Sequence, residues 1–279
     1  MKFFKTILFA LLFSLFATFS YAQVGSDTDH WNWVEAKDYH KSMVKINVPC
    51  NIDRNRDGNW DDYDLDGVAD LLSAMGTGTV IHIDKSKVIT SKSGVKGYIG
   101  YVITAAHVIG NMPYEAPRNI IDIEVEYQNH EKAVKSEVMY RNTLADCAII
   151  KCWVPENVPA AKLAQEHAKP NDYLEFVGLG GRSPVEKPRR FHGHASIVSD
   201  GDELFSHDVL FVPGDSGGSV FNKDGELVGV ISGGWFWWDG VESPSYGPIQ
   251  TTWPAKSCGL DPMKSMYEKL INKLKEKES

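Results

Sequence analysis

The segment VPGDSGGSV places Ser216 between Asp215 and Gly217, with Gly214 and Gly218 one step further out. A serine hydroxyl is a poor nucleophile until a base takes its proton, and acyl transfer also needs backbone N–H groups facing the charge that develops on the attacked carbonyl oxygen. Glycines around the serine let the chain turn tightly and bring such N–H groups close. Two other segments offer the missing groups. ITAAHVIG carries His107 at the end of a strand-like run, and LADCAIIK carries Asp146 at the start of another. A histidine that takes the serine proton, with a carboxylate behind it to fix the ring and stabilise its charged form, would complete the set.

Chain order decides between two settings for these residues. GDSGG also fits G-x-S-x-G, the nucleophile elbow of α/β-hydrolases, but there the histidine follows the serine. The last histidine here is His207, and none follows Ser216. With TAAH, DCAIIK and GDSGG in that order, spaced so that 39 residues separate His107 from Asp146 and 70 separate Asp146 from Ser216, the sequence resembles the trypsin-like (chymotrypsin-fold) serine protease family, its compact bacterial secreted branch above all. The resemblance covers roughly residues 41 to 275, including GTGTVI before the histidine, EFVGLG, and LVGVISGG after the serine.

The resemblance implies an all-β fold of two packed six-stranded antiparallel barrels with the site in the cleft between them. It implies Ser216 as nucleophile, His107 as general base and then acid, Asp146 as the group that orients the imidazole, and the N–H groups of Gly214 and Ser216 as the oxyanion hole. By family position Leu210 lies at the base of the specificity pocket, where an aspartate would select a cation. Ile231 stands where glutamate-specific relatives carry histidine. An apolar residue before the scissile bond is the expected preference. Ser232, Gly233 and Gly234 would pair with the substrate backbone as a strand, and WFWW (235–238) would wall the cleft. No I-V-G-G sequence precedes the first barrel strand. Activation through a newly cut amino terminus is therefore not expected, and Asp215 needs another partner or stays solvated. A non-catalytic calcium-dependent binding module on the same scaffold and an esterase using the same triad are the other functions these residues allow.

Residues 53–64 read DRNRDGNWDDYD and put Asp53, Asn55, Asp57, Gly58, Asp61 and Asp64 at positions 1, 3, 5, 6, 9 and 12 of a loop, with Asn59 at the intervening position 7. Calcium needs six to eight oxygens around one point, and alternate side chains with a glycine bend can supply them. A second, less complete run overlaps it through Asp62, Asp64, Asp66, Gly67 and Asp70. The spacing resembles the calcium loops of thrombospondin type 3 repeats more than an EF-hand, whose twelfth position is glutamate. Seven aspartates within 18 residues repel one another without a counterion, so a structural Ca²⁺ is expected to order this insert. His192 and His194 lie two apart on one face of a probable strand, with no third zinc ligand evident from spacing.

The elements that must position these groups are short β-type runs separated by Gly, Asn and Asp, the pattern of an all-β chain. The reading divides the chain into an N-terminal segment (23–40), a first barrel (41–154) carrying the Asp-rich insert (50–73), a linker (155–172) with a short helical candidate, a second barrel (173–258) and a C-terminal helix (259–279). Met43–Val48 and Thr79–Ile83 are the expected strands flanking the insert. In the final helix Asp261 would cap, Pro262 would open the first turn, and Met263, Met266, Tyr267, Leu270, Ile271 and Leu274 form one apolar stripe.

Composition sets the outer limits. The 279 residues are 43% hydrophobic and 24% charged, enough for a substantial core. A formal charge of -8 and a pI near 5.6 argue against nucleic acid or an anionic membrane as partner, while the protease resemblance implies protein or peptide substrates. Residues 1–22 have two lysines, an apolar run and small residues ending at Ala22, the pattern of a secretory signal cleaved there. The remainder is then expected to be secreted or periplasmic and free of the membrane. In that oxidising setting the four cysteines can pair. Cys147 and Cys152, five residues apart in an extended run at roughly 3.3 Å each, exceed the roughly 7 Å reach of a disulfide. Cys50 is therefore expected to pair with one of them.

Overall fold

Strands form along the apolar runs, and β8, at Cys147–Pro155, is buried on both faces along most of its length. The computed structural model describes residues 38–62, 68–110, 117–180, 183–199, 203–206, 209, 211–234 and 255–278. The expected leader, the aromatic run 235–238, and Leu210, Asp64 and Asp66 lie outside the described residues. A 3-10 turn, Asp38–Ser42, enters β1 (Met43–Ile52). There follow β2 (Leu72–Thr90), β3 (Lys96–Thr104), β4 (Arg118–Ile120), β5 (Glu124–Glu126), β6 (Lys132–Ala133), β7 (Glu137–Asn142) and β8 (Cys147–Pro155). The second half holds β9 (Tyr173–Gly178), β10 (Arg189–Ser199), β11 (Glu203–Ser206), β12 (Ser219–Phe221), β13 (Leu227–Gly234), β14 (Ala255–Cys258) and the helix α1 (Leu260–Glu278).

All strand pairs are antiparallel. The first eight strands form one curled sheet in the order β6-β5-β1-β2-β3-β8-β7, with β4 also on β1, and the last six close into a barrel, β10-β11-β14-β13-β12-β9. The first sheet exceeds the expected six strands because β1 is long enough to carry both β4, at Cys50–Ile52, and β5, at Lys45–Asn47, on one edge. Residues 39–279 make one compact unit.

Alternation along β3 and β8 feeds two cores at once. Val102, Ala148, Ile150, Cys152 and Val154 point into the first sheet with Val44, Ile46 and Val80. Tyr101, Ile103, Cys147 and Ile149 point the other way, into a core shared with the second barrel and α1. Successive residues face opposite sides of a strand, so a run such as CAII must be apolar throughout to serve both. The helix buries Leu260, Met263, Met266 and Leu270 in that shared core, each worth about 1.5–3 kcal/mol relative to exposure. It begins at Leu260, so Pro262 lies in its first turn, as expected, and Asp261 lies there too rather than at the cap, facing His167 at 3.3 Å.

Two expectations are corrected. Residues 156–172 contain no helix: the segment runs alongside β13, with Ala164 N–H donating to Leu227 O (3.0 Å) and Leu227 N–H to Lys162 O (2.8 Å). Tertiary pairing overrides its weak helical pattern. The four cysteines form no disulfide, and all are buried. β2 and β3 separate β1, which carries Cys50, from β8. Within β8, Cys147 and Cys152 point into different cores. Cys152 also meets the Tyr127 hydroxyl at 3.3 Å.

Candidate active site

Three loops from three strand ends converge. His107 lies in the turn directly after β3, beyond the buried Ala105 and Ala106, and Val108 N–H closes the turn onto Ala105 O (3.2 Å). Asp146 is the last residue before β8, held at φ 54°, a left-handed conformation that aspartate tolerates better than most side chains. Its carboxylate grips the histidine twice: Oδ2 lies 2.7 Å from Nδ1, and Oδ1 accepts the His107 backbone N–H at 2.9 Å. Ser232 of β13 donates its hydroxyl to the same Oδ2 at 2.5 Å. Burial alone would raise the Asp146 carboxyl, but the hydrogen bond and charge of His107, with the Ser232 hydroxyl and the His107 N–H, hold it below the ordinary range. Arg118 fixes the turn from behind, donating to the carbonyls of His107 and Gly110, each at 2.5 Å.

Ser216 sits in a turn that is stitched to both halves. Thr77 of β2 donates its N–H to Ser216 O (2.8 Å) and its hydroxyl to Gly214 O (2.8 Å), while that hydroxyl accepts Leu179 N–H (2.8 Å). Gly217 has φ 83°, and a Cβ there would stand 2.0 Å from Thr77 O, so only glycine fits. The turn's N–H groups alternate in use. Those of Asp215 and Gly217 donate to Val212 O (3.0 Å) and Ile231 O (2.7 Å). Among the described residues those of Gly214 and Ser216 have no acceptor. The Ser216 hydroxyl donates to the Ser232 carbonyl (3.4 Å), a long bond that leaves it able to rotate.

Asp215 does have a partner. Its side chain is fully buried, and Arg189 of β10 donates to Oδ2 at 2.6 Å. Val212 N–H reaches Oδ2 (2.9 Å) and Gly180 N–H reaches Oδ1 (2.8 Å). Burial pushes this carboxyl above its ordinary range, opposed by the Arg189 charge and the two N–H groups. The guanidinium in turn stacks 4.5 Å over the Phe191 ring.

The remaining sequence candidates separate. The Ile231 side chain is buried in the shared core, and its backbone exchanges two hydrogen bonds with the Ser216 turn. Gly233 and Gly234 pair with β14 on one edge, while β12 pairs with β13 only as far as Val230, so the other edge of Ser232–Gly234 carries no strand among the described residues. His192 faces Glu175 and His194 is exposed, with the Tyr173 ring against both, at 5.5 and 5.0 Å. In the insert, Asp53 is nearly buried and accepts the N–H groups of Asp57 (3.2 Å) and Gly58 (3.0 Å). Asp57 N–H also approaches Asn55 Oδ1 (3.1 Å), Asn59 N–H donates to Asp57 (2.8 Å), and Arg54 N–H to Asp61 (3.2 Å). Among the described residues no three His, Cys, Asp or Glu side chains gather closely enough to hold a metal ion. Asp62 borders the segment outside the described residues, and Asp70, three residues beyond its far end, donates its N–H to Asp61 O (2.9 Å).

Residues 76–230, more than half of the chain, match the model of the trypsin-like peptidase domain. The chain belongs to that family. Its relatives include the periplasmic serine endoprotease DegP of Escherichia coli K12, 26% identical over 169 residues, a match covering 59% of this chain and 31% of DegP. A serine protease HtrA-like protein of Staphylococcus epidermidis is 28% identical over 156 residues, covering 47% of this chain and 24% of that protein. The chain thus matches only about a third or less of these relatives' length. The serine endoprotease of Yersinia pestis superposes with a TM-score of 0.55 over 89% of this chain and 68% of that one, at 17% identity, a likeness of fold. Thr77, Arg118 and Arg189 within the matched span, and the Ser232 hydroxyl just beyond it, are the contributors that motif spacing did not reveal. No helix among the described residues is long and apolar enough to cross a membrane.

Proposed function

We propose that the protein is an exported serine endopeptidase acting through Ser216, His107 and Asp146. The observation that carries this reading is the doubly gripped His107 beside a turn whose Gly214 and Ser216 N–H groups are left unused while their neighbours are tied down. Rotation of the Ser216 hydroxyl toward His107 Nε2 would let the imidazole take its proton as the oxygen attacks a peptide carbonyl. The two N–H groups then receive the oxyanion, and the imidazolium, held by Asp146, returns the proton to the departing amine. Water activated by His107 hydrolyses the acyl-enzyme. The open edge of Ser232–Gly234 supports strand-like pairing with the substrate segment before the scissile bond. Leu210 as pocket base with an apolar preference remains part of this proposal.

A fluorophosphonate probe tests the reading on the purified protein. Stoichiometric labelling, abolished by Ser216→Ala, is the expected result. A folded protein that takes no label and cleaves no peptide would instead be the non-catalytic binding module, and turnover of esters alone would make it an esterase.

We also infer that the loop from Asp53 to Asp70 binds structural Ca²⁺. Its hard oxygen donors (Asp53, Asn55, Asp57, Asn59, Asp61, with Asp62, Asp64, Asp66 and Asp70) suit calcium in kind, and left-handed φ values at Arg56 (58°) and Gly58 (90°) support the required fold-back. The ion takes no part in the chemistry. Millimolar Ca²⁺ should raise Tm and protect the loop from proteolysis relative to chelator; identical melting in both would remove calcium from the account.

A further inference from the structure

Glu175 carries a carboxylate into a place without solvent: its side chain, midway along β9, is fully buried. Such a group is tolerated only where donors meet it. Arg190 of β10 meets Oε1 through Nε (2.6 Å) and Nη2 (2.5 Å), and His192 Nε2 stands 3.8 Å from the same oxygen. The other oxygen is served from the amino-terminal side of the chain. The Tyr39 hydroxyl donates to Oε2, and His40 Nε2 lies 3.3 Å from it. Both residues belong to the 3-10 turn that precedes β1. The Tyr39 ring packs on Phe221 of β12 with centroids 4.5 Å apart, and Gln128 holds the turn through a 2.8 Å bond to the His40 carbonyl.

The same two-stranded unit supports the nucleophile turn. Adjacent residues of a strand face opposite sides, so Arg190 turns to Glu175 while Arg189 turns to Asp215. β9 pairs with β10 at Glu175–His192, Val177–Arg190 and Gly178–Arg189, then runs directly into Gly180, whose N–H holds Asp215 Oδ1 at 2.8 Å. Glu175 is also paired across β9–β12 with Phe221, the residue under Tyr39.

We propose that Tyr39 and His40 form a strap whose grip on Glu175 sets the β9–β10 hairpin, and through Arg189 and Gly180 positions the Asp215–Ser216 turn. They are positioning residues that act on the nucleophile from outside the catalytic set. The kinetic part of this inference rests on the peptidase reading of Ser216; the structural part does not.

Tyr39→Phe is the informative variant, because it keeps the ring on Phe221 and removes only the donated hydrogen bond. Glu175→Gln would leave Arg190 without its charge partner and risks misfolding. Amide hydrogen exchange on the full chain is the primary readout. The expected result is exchange about tenfold faster at Gly180, Asp215 and Gly217, with the β3 and β8 amides of Ile103 and Ile149 unchanged. Unchanged rates at all three, or uniform acceleration across both cores, would overturn the strap. With a peptide substrate, Tyr39→Phe should lower kcat about three- to tenfold at constant KM. Adding Arg189→Lys should then cost no more than Arg189→Lys alone, whereas a double variant equal to the product of the two single losses would show no coupling and sink the proposal. Should the unaltered protein neither turn over peptide nor label at Ser216, the peptidase reading fails, and the exchange comparison alone decides the strap.

Discussion

Arg189 and Asp215 form a 2.6 Å ion pair that fixes the residue next to Ser216 from within the second barrel. The pair answers the need left by the absence of an I-V-G-G sequence: the cation is built into β10 and requires no cut amino terminus. On the proposed peptidase reading the purified protein should therefore hydrolyse peptides without further proteolysis, and activity that appeared only after trimming would contradict this. Arg189→Gln leaves a fully buried carboxylate with two N–H donors, a change worth about 3–5 kcal/mol in stability. Because the Asp215 carboxyl is already held above its ordinary range in the fold, loss of the cation raises it further. A raised acid favours folding at low pH and disfavours it as pH climbs through the folded value. The Tm gap between Arg189→Gln and the parent should accordingly narrow as pH falls from 7 toward 5 in calorimetry.

Gly217 and Gly233 should separate folding from binding. A Cβ at Gly217 would lie 2.0 Å from Thr77 O and 2.2 Å from Thr104 Oγ1 at a left-handed φ, so Gly217→Ala should lower stability by about 2 kcal/mol or more and abolish turnover. Among the described residues a Cβ at Gly233 meets nothing within 4 Å. Gly233→Ala should leave Tm within a degree or so of the parent yet raise KM, since the methyl projects where a substrate strand would lie. Equal melting losses in the two variants would contradict the assignment of the Ser232–Gly234 edge.

Ser232→Ala removes the 2.5 Å donation to Asp146 without touching the His107 bond. A hydrogen bond to a charged group contributes about 1.5–3 kcal/mol, so kcat/KM should fall about ten- to a hundredfold. Ser232→Thr, which keeps the hydroxyl, should recover most of the loss. Full activity in Ser232→Ala would show that His107 is oriented without it.

Acid should unfold the protein through two carboxylates. Asp146 and Glu175 are both buried, which alone would raise them, yet donors hold each below the ordinary range: His107 and Ser232 for Asp146; His40, Tyr39 and Arg190 for Glu175. A depressed acid contributes stability above its unfolded value, about 3.9 for Asp and 4.3 for Glu, and that contribution is lost as pH falls through the folded value. Circular dichroism should therefore show stability declining below about pH 4, and the deficit of Ser232→Ala relative to the parent should be largest above that point and vanish near full protonation.

The pairing of His107 with Asp146 was more legible than the contacts around it. Each lies in a short motif beside a strand end, and two hydrogen bonds join them. The apolar run CAIIKCWV likewise reads as a strand, and β8 spans it. Arg189 gave no such signal, because its bond to Asp215 is made by the register of β9 against β10 rather than by local spacing. Thr77 reaches Gly214 across 137 positions, a contact set by how the two halves dock. The expected disulfide failed for a related reason. Excluding one pairing by distance along a strand says nothing of how β1 and β8 stand across the sheet, where two other strands separate them.

The four buried cysteines turn the molecule into its own unfolding gauge. The thiolate is the form that attacks an alkylating reagent, and burial pushes the Cys152 thiol up to about 12. All four sulfurs are enclosed, so the native fold has none to offer and each added reagent mass records an opening event. Cys50 and Cys152 report on the first sheet, Cys258 on the last strand of the closed barrel, and Cys147 on the core between them. Mapping which cysteine is modified first would time the parting of the two halves in a single mass spectrum, without a dye, a mutation or an assay of activity.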